Sequence, residues 1–252
     1  MVFPVLFKMT MHRGLYSLSE NSELHYHNSK KLVSELINCT PKEIIYTANA
    51  TASFNLLAQS LVNSGFLGKG DAVLVGIRDH HANTLPWMSL AKQFGFEVRF
   101  FGLNNQFEVN YEDFQQKYTP EVKVVSCGQV SNVTGRIYDV KKIWSLLRKD
   151  TFFVVDASQS VPNMPVDMKE INCDALIFTA HKMMAYTGLG VLALKHQRVK
   201  ELQPLSVGGG TIKDVSCDGF ELQSNNEKFE AWTPNIIGAV SLEYALEYLK
   251  TL

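Results

Sequence analysis

An acid and an amine in this sequence can act together in catalysis, and each follows an apolar run. Phe152-Phe153-Val154-Val155 leads to Asp156, and Ala175-Leu176-Ile177-Phe178 leads through Thr179-Ala180-His181 to Lys182. An aspartate at a buried strand end is costly to keep ionised unless a cation pairs with it. A lysine at a strand end is out of keeping with an ordinary solvated surface residue. Two readings follow. The pair is an Asp–Lys ion pair, or the lysine is an amine that condenses with pyridoxal phosphate while the acid keeps the pyridine nitrogen protonated. These two residues alone leave both open.

Either reading needs elements that bring the two together. Short β-branched runs over 72–75, 97–101, 122–126, 152–155 and 175–178 predict strands buried on both faces, because they are near-continuously apolar rather than alternating. Residues 191–194 predict one more. Helical spacing joins Phe54, Leu56, Leu57 and Leu61 in 51–62, and Val140, Ile143, Trp144 and Leu147 in 140–147. This alternation predicts an α/β fold, a mostly parallel sheet with helices on both faces. Leu24, Leu32, Val33, Leu36 and Ile37 form a stripe that predicts an N-terminal helix. Ile237, Val240, Leu242, Ala245, Leu246 and Leu249 predict a C-terminal one within 234–252. The stretch 207–226 is polar and glycine-containing and reads as a long functional connection.

Chemistry in a parallel sheet gathers at the carboxyl ends of the strands. The residues just after each run therefore matter. Thr51, ahead of the 51–62 helix, reads as an N-cap or as part of a helix start whose free amides suit a phosphate. In Asp79-His80-His81-Ala82-Asn83 the adjacent histidines point apart, which makes a poor metal pair; one of them can stack on a planar ring, or sit satisfied in a loop. Asn132, in Val130-Ser131-Asn132-Val133-Thr134-Gly135, can donate to a phenolic oxygen or a substrate, or simply make a turn. Gln159 stands three residues beyond Asp156.

Composition narrows the class. The 252 residues are 46% apolar and 19% charged, enough for a sizeable core in one large domain or one domain plus part of another. Lysine plus arginine number 24 against 25 acids, so the chain lacks the concentrated positive field that nucleic acids or membrane surfaces attract. No apolar run approaches the ~20 residues that span a bilayer. The apolar start over 1–9 has no basic leader or cleavage pattern, and no signal peptide is predicted. Cys39, Cys127, Cys173 and Cys217 lie far apart, with no CxxC and no Cys/His ligand spacing. They predict reduced thiols in a cytoplasmic protein, with neither a disulfide framework nor a metal site.

The motifs, taken in order, resemble the class V aminotransferase superfamily of pyridoxal-phosphate enzymes (fold type I), in its cysteine desulfurase/selenocysteine lyase branch. The resemblance is carried by Met11-His12-Arg13-Gly14, Ala50-Thr51, Asp79-His80-His81-Ala82-Asn83 with Pro86-Trp87, Ser131-Asn132-Val133-Thr134-Gly135 and Asp156-Ala157-Ser158-Gln159. It continues through Val161-Pro162, His181-Lys182, Thr187-Gly188-Leu189-Gly190, Gly208-Gly209-Gly210 and Phe229-Glu230-Ala231-Trp232-Thr233-Pro234-Asn235.

The resemblance implies a role for each position. Lys182 is the Schiff-base lysine and proton shuttle, Asp156 pairs with the pyridine nitrogen, and Gln159 approaches the phenolic oxygen. His80 stacks on the ring, and Asn132 lies near the phenolic oxygen and the substrate. Thr51, Thr179 and His181 bind the phosphate. Thr233 reaches the phosphate of a neighbouring subunit, which implies a homodimer. The implied reaction takes L-cysteine to L-alanine, with sulfur passed through an enzyme thiolate toward a sulfur-acceptor protein.

The resemblance also implies a chain truncated at both ends. Residues 1–40 are an N-terminal segment and helix left from the small domain, and 41–252 are the pyridoxal-phosphate-binding large domain. The C-terminal small domain, with the family's catalytic cysteine loop and substrate-carboxylate arginine, is missing. Asn49 stands where a glycine is usual, Gln129 where histidine is common, Ala185-Tyr186 in place of Gly-Pro, and Trp232 in place of a glycine. A catalytically incomplete cofactor-binding or scaffold protein, and another class V lyase or transaminase, stay open as alternatives.

Overall fold

The computed structural model describes residues 17–231 and 233–252. The apolar start, the motif Met11-His12-Arg13-Gly14 and Trp232 lie outside the described residues.

A seven-stranded sheet organises the chain, with strand order β1-β7-β6-β5-β4-β2-β3. The strands are β1 (Ile44–Thr47), β2 (Ala72–Gly76), β3 (Glu97–Phe101), β4 (Val122–Gly128), β5 (Phe152–Asp156), β6 (Ala175–Thr179) and β7 (Gly190–Leu194). β2 to β6 run parallel, and β7 is antiparallel to both β6 and β1. Successive residues of the central strands feed opposite cores. Val73, Val75, Phe152, Val154 and Ile177 join one apolar cluster, while Leu74, Phe153, Val155, Leu176 and Phe178 join the other. That is why these runs are apolar throughout.

Helices α2 (Ala50–Asn63) and α3 (His81–Phe94) cover the first face through Phe54, Leu57, Leu61 and Trp87. The second face carries α1 (Ser17–Leu36), α4 (Tyr111–Lys117), α5 (Val140–Ser145), α6 (Met168–Ile171) and α8 (Ile236–Leu249). The short α7 (His196–Glu201) follows β7 and packs Val199 into the first cluster. α1 lies along α8, tied by His25 Nδ1 to Glu243 Oε2 at 2.7 Å and by Lys250 Nζ to Glu35 Oε2 at 2.8 Å.

Four sequence expectations need correction. β3 is not buried on both faces: Glu97 is exposed and only Phe101 is buried, because β3 ends the sheet. Leu24 and Leu36 of the N-terminal stripe are exposed, while Val33 and Ile37 are buried. The connection over 207–226 contains a hairpin, β8 (Ile212–Ser216) with β9 (Gly219–Leu222). β1 went unpredicted, although all four of its residues are buried. It forms the other edge of the sheet, and side chains take the place of a further strand there. Glu230 Oε1 accepts from Tyr46 N at 2.7 Å, and Asn226 Nδ2 donates to Ile44 O at 2.6 Å. Among the described residues no helix is long and apolar enough to cross a membrane.

Candidate active site

Strand order reverses at β2: the chain moves outward to β3 and returns to β4 on the other side. Such a switch point leaves a crevice beyond the carboxyl ends. Here it has a volume of about 190 Å³. Thr51, His80, Asn132, Asp156, Gln159, Thr179, His181 and Lys182 all line it. Thr233 does not; it lies in a separate hollow with Tyr46, Gly188 and Asn235. Arg78, Asp79 and Ser158, to which the sequence assigned no role, also line it.

Asp156 ends β5, opposite Ile177 of β6, and its Oδ1 accepts from Ser158 N at 2.9 Å. Lys182 follows β6 in a single 3₁₀ turn, Ala180–Met183, and is exposed in the open crevice. No salt bridge joins them, and among the described residues nothing pairs with the Lys182 ammonium. The ion-pair reading therefore does not describe this structure. The carboxylate is turned to the Ser158 amide, and the amine is left to whatever enters.

Past β2, His80 caps α3, its Nδ1 accepting from Ala82 N at 3.1 Å. A nitrogen that accepts carries no proton, so the neutral ring holds its proton at Nε2. His81 is not part of the crevice lining.

At the start of α2 the cap is Asn49 rather than Thr51. Its Oδ1 accepts from Ala52 N at 2.9 Å. Asn49 is fully extended at φ −174°, a conformation any residue adopts, so the glycine usual there is not needed. The amides of Ala50 and Thr51 have no partner within the helix and border the crevice. Opposite them Thr179 Oγ1 lies 3.0 Å from His181 Nδ1. Gly190, at the start of β7, lets this wall close: a Cβ there would sit 2.3 Å from the Asn49 carbonyl carbon.

Asp79 is the unforeseen acid. Its carboxyl group is enclosed and accepts from Asn83 Nδ2 at 3.0 Å and Gly128 N at 3.2 Å. Glycines at two strand ends make room for it, since a Cβ on Gly76 would lie 2.8 Å from its oxygens and one on Gly128 3.3 Å. Burial, with the nearby Asp156 charge adding to it, pushes its pKa up to about 7. Its sequence signal was the same as that of Asp156, an acid just past an apolar run.

Burial pushes the Cys39 thiol up to about 12 and raises Cys127 and Cys173 well above the ordinary range. None of the four cysteines lines the crevice. Among the described residues no group of His, Cys, Asp or Glu is placed to hold a metal ion.

The residues fit pyridoxal phosphate by the chemistry of their donor set. An unpaired amine, a strand-end carboxylate, a neutral imidazole and a helix start share one crevice. The Ser158 hydroxyl, buried in its wall, has no partner among the described residues.

Comparison with known proteins agrees with this fold. A probable cysteine desulfurase of Pyrococcus abyssi is 36% identical over 248 residues, 98% of this chain and 61% of the relative. One of Staphylococcus aureus is 35% identical, covering 98% of this chain and 60% of its own. The fold matches the crystal structure of the cysteine desulfurase CsdA from Escherichia coli with a TM-score of 0.90 at 30% identity, over 100% of this chain and 65% of that one. It matches the apo cysteine desulfurase of Thermococcus onnurineus with a TM-score of 0.91 at 33% identity, over 99% and 64%. The chain thus spans about 60% of the length of the curated relatives it matches. The family model described as aminotransferase class-V matches residues 6–252, and the chain belongs to that family.

Proposed function

We propose that this chain is the pyridoxal-phosphate-binding part of a cysteine desulfurase-like enzyme, one that takes L-cysteine to L-alanine with transfer of sulfur. The observation that carries the reading is that Lys182 and Asp156 face one crevice from neighbouring strand ends without neutralising each other. Two opposite charges left apart in a shared space are poised for a third group.

Pyridoxal phosphate, when bound, supplies an aldehyde for an amine and a ring that stabilises negative charge at the α-carbon. The chain's own residues do the rest. Lys182 Nζ would provide the amine that anchors the cofactor, and the same amine would serve as the base that takes and returns the α-proton. The Asp156 carboxylate holds a positive pyridine nitrogen. His80 presents a neutral imidazole to the ring, with a proton on Nε2 to donate. Gln159 and Asn132 serve the phenolic oxygen and the substrate side. Thr51, Thr179 and His181, with the free amides of Ala50 and Thr51, hold the phosphate.

Thr233, exposed and outside its own crevice, suits service to the crevice of a second copy in a homodimer. In this reading residues 41–252 form the cofactor unit and 1–40 begin a smaller one. A sulfur-acceptor protein completes the transfer, and the free cysteines fit a reducing, cytoplasmic setting.

Purified protein given pyridoxal phosphate should show the visible absorption band of lysine-bound cofactor, and Lys182→Ala should lose it. A colourless wild type would leave only a scaffold role.

A further inference from the structure

One cationic side chain of the crevice has no task in that chemistry. Arg78 follows β2, two residues before His80, and borders both the crevice and the adjoining hollow of Leu103, Asn105 and Phe107. It is exposed and makes no hydrogen bond or ion pair among the described residues. The acids on neighbouring segments are committed elsewhere. Asp79 is held by Gly128 N and Asn83, Glu108 pairs with Arg136, and Asp113 pairs with Lys117.

What Arg78 does have is an aromatic platform. Its guanidinium carbon lies 5.6 Å from the centre of the Phe107 ring. Phe107 has φ +59°, a left-handed backbone that a bulky side chain rarely adopts. The turn is held there by Asn104, whose Oδ1 accepts from Gln106 N and Glu108 N, each at 2.9 Å. A Leu103–Val109 bridge closes the loop. Local strain is thus spent on setting a ring against an arginine at the rim of the crevice. A guanidinium resting on a ring keeps its in-plane donors free, the arrangement that receives a planar oxyanion in a two-pronged contact.

We propose that Arg78 binds an acidic group of the amine substrate and so discriminates acid-bearing amines from simple amines in this crevice. The proposal rests on the cofactor-binding reading above. The acidic group is the α-carboxylate or a side-chain acid, and the chemistry of recognition is the same for both.

The test loads wild type, Arg78→Ala and Arg78→Lys with pyridoxal phosphate and titrates each with ethylamine, L-alanine and L-aspartate. The visible spectrum reports both cofactor uptake and amine binding. Arg78→Ala should take up cofactor as wild type does and bind ethylamine unchanged, but bind the acid Arg78 holds about tenfold or more weakly. Arg78→Lys should recover part of the loss. Equal weakening toward alanine and aspartate assigns the α-carboxylate, and weakening toward aspartate alone assigns a side-chain acid. Unchanged affinities, or weakening that includes ethylamine, overturn the proposal. Loss of cofactor affinity in Arg78→Ala overturns it too, by giving the arginine to the phosphate. A wild type that never takes up cofactor removes the underlying reading, and the proposal falls with it.

Discussion

Lys30 and Lys182 each share a space with a carboxylate, and the surroundings treat them in opposite ways. Lys30 and Glu230 meet at 2.8 Å under α1, with side chains 6% and 5% exposed. Glu230 also accepts from Tyr26 OH at 2.6 Å and Tyr46 N at 2.7 Å, and the Lys30 ammonium lies 5.0 Å and 5.4 Å from the centres of the Tyr26 and Tyr46 rings. Lys182 and Asp156 share an open crevice and leave each other unpaired. The first site is closed on itself and ties α1, β1 and the 226–230 segment together. The second is unfinished. An acid and an amine held in reach of one space, yet not joined, are a stronger sign of chemistry than their presence alone.

The contrast predicts different responses to the same kind of change. Glu230→Ala strands a buried ammonium and bares the Tyr46 amide, and should lower stability by about 3–5 kcal/mol in urea unfolding. Asp156→Asn keeps an oxygen for the Ser158 amide and removes a charge beside Asp79, so it should change stability by less than about 1 kcal/mol while abolishing cofactor uptake. Equal losses in the two variants would break the distinction.

Asp79 belongs to the crevice but is enclosed like the hub under α1, and it tests where the boundary falls. Its carboxyl keeps a proton up to about pH 7 in the folded chain, against an ordinary value of 3.8. The folded state therefore binds more protons between these values, and stability contributed by this group is present at low pH and lost as pH rises toward 7. The slope approaches 1.4 kcal/mol per pH unit, in order of magnitude about what one titrating group supplies. Asp79→Asn should flatten it, gaining on wild type as pH rises from 5 to 8 in parallel urea titrations. Identical pH profiles would show that the carboxyl is solvated.

Much of this was legible in sequence because a parallel sheet writes its interior strands as continuous apolar runs and its site just past them. His80, Asn132, Asp156, Gln159, Thr179, His181 and Lys182 follow that rule, while Thr51 was marked by the helix start instead. β1 is as long as the runs that signalled strands, but it is an edge strand whose outer side is satisfied by Asn226 and Glu230, about 180 residues away, and nothing next to it in sequence marks that pairing. Whether Asp156 and Lys182 paired was undecidable from types and spacing, since it depends on a 3₁₀ turn and one amide. Arg78 and Asp79 sat in plain view beside His80. Their meaning comes from what they touch: a ring posed by a strained turn for one, two glycines that make room for the other.

The smallest expected effect concerns the position where this chain departs from its family without losing the turn. Asn49 replaces a glycine, but the backbone there is extended, and the side chain caps α2 through the Ala52 amide. Asn49→Ala should cost about 1 kcal/mol by leaving that amide bare, and Asn49→Gly only a few tenths, since glycine is tolerated as a cap. Neither substitution touches the amides of Ala50 and Thr51, so cofactor affinity, read from the visible band, should fall no more than stability does. A Gly variant that bound cofactor markedly more tightly would show that the asparagine side chain obstructs the phosphate end, and would move Asn49 from the closed part of the molecule to the unfinished one.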